Sequence, residues 1–298
     1  MHTRVITADG GPSVQKAARI LAQSQDMPNI VLILRDPAHA IRIAARDPLH
    51  AEARFKSQLD RLFGTHGLVP DVQYSDMWKL KLAACQLRVL SVDGTQGGGL
   101  TKVMRHFAFA KQRFDSFAAP LRKYCCALHA IALLLAMVAA DKRLQQKVRA
   151  RAVTALEEMT EANLVTAGLS ADYAEECADF IRIFDTDDHD ISRTGREVRA
   201  FLSRMKTLFL DAHILAPPPH GETVTSIVLS QCRQAKAIPY GERIKILWTK
   251  GSERRVREVM ESMHVVVQTM LERVGPPVRL ACAGLGPPGT GGHNMTTQ

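Results

Sequence analysis

Asp9 and the Asp36/His39 pair are the residues whose type and spacing could do chemistry first along the chain. Asp9 follows a β-branched run, Arg4-Val5-Ile6-Thr7-Ala8, and precedes Gly10-Gly11-Pro12. A carboxylate fixed at the carboxyl end of a strand is well placed to hold a metal ion or act as an acid. The same residue would also make an Asx turn or cap the next helix. Asp36-Pro37-Ala38-His39 closes a second apolar run, Asn29 to Leu34. Its Asp and His stand three apart, on one face of a helix start. Taken alone, Asp36 is simplest as a helix cap and His39 as a partly buried partner.

The elements that must position these residues have α/β grammar. Ser13 can cap a helix in which Val14, Ala17, Ala18, Leu21 and Ala22 fall at helical spacing. The continuous apolar run 29–34 reads as a strand buried on both faces. A second helix follows, with Ala40, Ile41, Ile43 and Ala44 inward and Arg42 and Arg46 outward. The expected fold class is therefore an α/β N-terminal piece, parallel strand–helix–strand, followed by a large all-α body, mainly helical overall. Beyond residue 50 the pattern is helical, with a Gly-rich connection at 93–100 and Pro217-Pro218-Pro219 ending one block. From Glu222 to Gln268 it is helical again, interrupted at Pro239-Tyr240-Gly241 and closed by Gly275-Pro276-Pro277. No internal repeat is visible.

Taken together these segments resemble the middle of hAT-type DNA transposases. Thr7 to Val14 is similar to that family's T-D-x-x-x-N-x segment, with Asp9 at its second catalytic Asp. Asp36-Pro37-Ala38-His39 matches its C/DxxH motif, and Ala40-Ile41-Arg42-Ile43-Ala44 resembles the A-L-N-L-I continuation. Gln112-Arg113-Phe114-Asp115-Ser116 is similar to its T-R-W-N-S box, with Phe for Trp and Asp for Asn. The resemblance has anchors over residues 1–145 and only helical character beyond. It implies a partial RNase H-like unit at 1–60 and a helical domain at 61–275 like the family's insertion, while Gly/Pro-rich composition makes 276–298 an expected disordered tail.

The chemistry implied is metal-dependent DNA strand cleavage and transfer, in which carboxylates hold two Mg²⁺ ions. Asp9 would be both the catalytic residue and the metal ligand. The family's first Asp belongs on an earlier strand, and none precedes Met1, so a truncated chain is expected. Its final Glu has no clear counterpart, Glu242-Arg243 and Glu253-Arg254 being the nearest late pairs and neither followed by Phe-Ser. One carboxylate cannot build a two-ion site, so the implied state is inactive, with Mg²⁺ as cofactor only if active.

Lys plus Arg outnumber Asp plus Glu by 39 to 30, for a net charge of +9, which attracts polyanions. Lys102, Arg105, Lys111, Arg113, Arg122 and Lys123 are the nucleic-acid-binding candidates, interleaved with Phe107, Phe109, Phe114 and Phe117. Further basic groups lie at 142–151 and 243–257. DNA is the expected partner, with self-association a second expectation and no membrane. The alternative is a helical interaction or scaffold protein in which Asp9 and His39 are structural. A salt-dependent DNA titration separates the two.

Composition bounds these readings. A hydrophobic fraction of 46% with 23% charged residues excludes wholesale disorder. Six cysteines with no CxxC pair exclude a zinc-ribbon arrangement and point to free thiols. With no signal region at the start, a nuclear or cytoplasmic location is expected rather than secretion. Tyr124 to Ala140 is nearly all apolar but falls short of the ~20 residues a span needs. It reads as one central buried helix. Gly286-Pro287-Pro288-Gly289-Thr290-Gly291 lacks the Lys of a phosphate loop, and 185–190 lacks the Gly and Glu of a calcium loop.

Overall fold

The computed structural model describes residues 5–8, 12–24, 32–35, 37–93, 100–104, 107–110, 114–185, 193–216, 223–234, 236–240, 243–247 and 253–283. The chain is mainly helical. Helices α1 Pro12–Gln23, α2 Pro37–Ala51, α3 Ala53–Phe63, α4 Leu68–Tyr74 and α5 Asp76–Asp93 come first. A 3-10 turn, Phe114–Phe117, then leads into α6 Ala118–Cys126, α7 Leu128–Ala140, α8 Gln146–Glu157 and α9 Glu161–Phe184. After α10 Thr194–Met205 come α11 Val224–Cys232 and α12 Glu253–Ala283.

The expectation of a partial RNase H-like α/β piece is corrected. The strands β1 Val5–Ala8 and β2 Leu32–Arg35 pair parallel, Val5 opposite Leu32 and Ala8 opposite Arg35, but they form an isolated ladder of four residues each. Two such strands make no sheet on which an α/β domain could be layered. Of the two helices assigned to the α/β unit, α1 packs on both strands of the ladder. The second, α2, packs against α9 and α12 instead. It buries Ala38, Ile41, Ala45 and Leu49 in the common core. Apolar spacing at i, i+3 and i+4 says that a helix has an inner face; it does not say whether sheet or helix covers it.

A second difference lies near the end of the chain. β3 Lys236–Tyr240 and β4 Arg243–Leu247 pair antiparallel, with Ala237 opposite Ile246 and Pro239 opposite Ile244, where helix is expected. Alternation of Ile238, Ile244 and Ile246 with Lys and Arg is a period of two, and it overrides the surrounding helical pattern.

Around these elements α9 is the central post. It touches α2, α3, α6, α11 and α12, and sixteen of its residues are buried. Its small residues permit this: at Gly168 an added Cβ would stand 3.1 Å from the Thr225 Cα of α11. Asp172 then fixes α11 in place. Its Oδ1 accepts from the Val224 N–H at 2.8 Å, and its Oδ2 from the Thr225 N–H at 2.8 Å and the Thr225 hydroxyl at 2.6 Å. A buried carboxylate thus satisfies orphan donors at a helix start. On the opposite side, the Tyr173 hydroxyl donates to the Ala45 carbonyl at 3.0 Å, tying α9 to α2.

The apolar segment 124–140 is not one helix. It breaks at Ala127 (φ −106°, ψ 18°), so that Phe114–Cys126 and Leu128–Ala140 meet at 80°. Among the described residues no single helix is long and apolar enough to cross a membrane. The bend has a packing reason: α6 lies on α9 and α11, while α7 lies on α5 and α8. An all-round apolar surface is buried by turning between two layers. Leu128, Leu134 and Val138 are fully buried there.

Candidate functional site

Among the sequence-selected residues, Asp9, Asp36, Arg105, Lys111 and Arg113 lie outside the described residues. Ala8 and Arg35, which precede the two acids, are ladder partners at the end of β1 and β2. His39 sits half-buried in the first turn of α2. Lys102 is exposed after α5, Arg122 is exposed on α6, and Lys123 beside it is half-buried.

The structure joins two of the motif segments through a residue expected to face solvent. Arg42, in the continuation of the D-x-x-H motif, reaches from α2 to the Phe114-Asp115-Ser116 box. Its Nε lies 3.4 Å from Asp115 Oδ1, and its Nη2 pairs with Asp185 at the end of α9. All three side chains are at least partly shielded. The box itself is a built turn. Ser116 Oγ accepts from the Ala110 N–H at 2.9 Å and donates to the Ala110 carbonyl at 2.7 Å. Phe114 packs edge-on to Tyr173, their centroids 6.1 Å apart.

The aromatic residues interleaved with the basic ones do not form a stacking platform. Phe107, Phe114 and Phe117 are buried, and Phe109 packs on Phe63 and Phe117 at 5.0 and 5.7 Å. A base stacks only on a ring whose face is open. An alternating Phe/basic pattern says which residues turn inward, and here the rings do.

Many of the basic side chains carry partners. Arg122 binds both carboxylate oxygens of Glu175, at 2.8 and 2.9 Å. Arg143 pairs with Asp141 at 3.1 Å, Lys245 with Glu157 at 3.1 Å, and Arg254 with Glu258 at 3.0 Å. Hydrogen bonds from Arg143 and Lys81 hold the Asp141 carboxyl well below the usual carboxylate range. Exposed pairs of this kind are worth ~0–1 kcal/mol, so they yield readily to a stronger anion. Lys102, Lys142, Lys147 and Arg255 are exposed.

Mg²⁺, which the resemblance implies, needs several oxygen ligands converging on one point. Among the described residues no group of three or more His, Cys, Asp or Glu is placed to hold a metal ion. Asp115 and Asp185 do converge, but on the Arg42 guanidinium, which already supplies the cation. The described residues therefore do not fit the ion.

Two cavities complete the picture. One, of about 410 Å³, opens among α3, α4, α5, α7 and α8 and is lined by Gln58, Asp71, Trp78 and Arg151 among others. The second, of about 730 Å³, lies between α11 and α12 beside Glu161, Cys232, Met260 and His264. Neither was legible beforehand, because a cavity is set by how several helices pack and not by the pattern of any one of them. Comparison of the chain with protein-family models, with curated proteins and with solved structures yields no match.

Proposed function

We propose that the chain is a DNA-binding protein derived from a hAT-type transposase, with no strand-cleaving activity of its own. The observation that carries the reading is the Arg42–Asp115 contact, since two motif segments far apart in sequence meet as one structural unit. The net charge of +9 supplies the attraction to a polyanion, through exposed residues such as Lys102 and Arg122. Binding of this kind needs no metal and no RNase H-like sheet. A helical interaction protein without nucleic-acid contact is the second reading, favoured by burial of the rings expected to stack on bases.

The test is a fluorescence-anisotropy titration of a labelled DNA duplex at rising salt. Four phosphate contacts give about a hundredfold loss of affinity between 50 and 200 mM monovalent salt. A flat salt response, or no binding at low salt, would overturn DNA binding in favour of the interaction reading. With Mg²⁺ present, a supercoiled plasmid stays unnicked. Nicking that disappears in Asp9→Ala would overturn the inactive state.

A further inference from the structure

The cavity among α3, α4, α5, α7 and α8 has the make-up of a ligand site. Its volume of about 410 Å³ falls within the range of small-molecule pockets. Trp78, Leu62, Leu135 and Met159 give it an apolar lining. Against that lining stand two polar atoms that the fold leaves without partners. Gln58 is 4% exposed, and its Oε1 is buried with no hydrogen bond. Arg151 has a buried, unpartnered Nε–H.

A buried donor or acceptor left unpaired costs about 1–3 kcal/mol, so a group that pairs it recovers that cost. Here both atoms belong to residues that line the same cavity. The Arg151 guanidinium is not free to swing away, because its Nη2 is held by Asp71 at 3.3 Å. The Nε–H on the same edge stays unpaired. The charges around the cavity are Arg61, Lys147 and Arg151 against Asp71 and Glu158, with His66 also at the wall. Arg61 is engaged with Glu158 at 3.4 Å. Lys147 has no ion pair among the described residues, and it gives the site its positive excess.

We infer that this cavity binds a small aromatic anion bearing one hydrogen-bond donor: the apolar body against Trp78, the anionic group on Arg151 and Lys147, the donor on Gln58. An aromatic carboxylate or sulfonate with an adjacent N–H or O–H has this chemistry. The inference stands apart from DNA binding, which uses exposed cations and needs no cavity.

The probe is 1-anilinonaphthalene-8-sulfonate, which combines an aromatic body, an N–H and a sulfonate. The comparison is N-phenyl-1-naphthylamine, which lacks only the sulfonate. Titration of the full chain is followed by probe fluorescence and by quenching of Trp78 in a Trp248→Phe background. Saturable binding of one sulfonate probe per chain is expected, with the uncharged analogue weaker by at least about tenfold. Gln58→Leu weakens the sulfonate probe by about tenfold while leaving the melting temperature equal or higher, because it removes an unpaired buried atom. Arg151→Lys, which keeps the charge but loses the Nε–H, weakens it by a similar factor. Equal affinity for the two probes, binding unchanged by both substitutions, or no saturation would each overturn the inference.

Discussion

Replacing Asp172 by Asn tests how the central helix α9 holds α11. Asp172 is buried and accepts three hydrogen bonds from the first two residues of α11. Burial pushes its carboxyl up to about 6, and the three donors only partly oppose this. Between about pH 4 and 6 the folded chain therefore keeps a proton that the unfolded chain, titrating near 3.8, has released. Stability from this group accordingly falls as pH rises through that window and is level above it. A rise of about two pH units corresponds to about 2–3 kcal/mol. Asn cannot ionise, so its stability lacks this component. Urea unfolding of both proteins by circular dichroism at pH 4 and pH 7 isolates it, because other groups cancel in the difference. The advantage of the native residue over Asn should shrink by about 2–3 kcal/mol from pH 4 to pH 7. Asp172→Ala leaves all three donors unpaired and costs about 3–5 kcal/mol at neutral pH. A difference between native and Asn proteins that stays flat, or grows with pH, would refute a desolvated carboxyl at this position.

Two further substitutions and one labelling experiment test the packing. Leu134, fully buried in α7, costs about 2–5 kcal/mol when cut to Ala, read from the urea midpoint at unchanged slope. Tyr173→Phe removes the bond to the Ala45 carbonyl and costs about 1–2 kcal/mol, and a neutral result would break the proposed tie between α9 and α2. Cys85, Cys125, Cys177 and Cys232 are buried, with Cys85 pushed up to about 11 and Cys232 to about 12 by desolvation. All four should resist iodoacetamide in the native chain at pH 8 and react in urea, as peptide mapping would show.

Helical content was legible because apolar residues at i, i+3 and i+4 constrain one face whatever lies against it. What lies against it was not. The face of α2 carrying Ile41 and Leu49 suits a sheet and a helix layer equally, and the choice is made by α9 and α12, far along the chain. The break at Ala127 was hidden for a related reason. An uninterrupted apolar segment has no polar face to show where its direction changes, and no proline or glycine marks the spot. The hairpin at 236–247 was readable in principle, since Ile238, Ile244 and Ile246 follow a period of two, but flanking helical segments masked it.

The residues that organise the interior differ in how much trace they leave. Asp172 leaves a clear one. It is a carboxylate inside the run Thr166-Ala167-Gly168-Leu169-Ser170-Ala171-Asp172-Tyr173-Ala174, where every neighbour is small or apolar. A helix with no solvated face must give such a group a partner, so the residue announces a buried bond before its donors are known. Arg42 leaves a weaker trace, since an arginine beside Ile41 and Ile43 fits the outer edge of an amphipathic helix. Its role depends on Asp115 and Asp185, 73 and 143 residues away. Gln58 and Arg151 leave none. Gln58 stands among the buried residues of α3, with Phe55, Leu59 and Leu62, and Arg151 borders Ala152 on α8, where a long polar side chain reads as the edge of an apolar face. Their burial is a property of how α3 through α8 pack together, and with it comes a feature that amphipathic patterning cannot encode: polar atoms buried and left unpaired. Helix-by-helix reading therefore finds the groups that hold this fold together more readily than those available to a ligand.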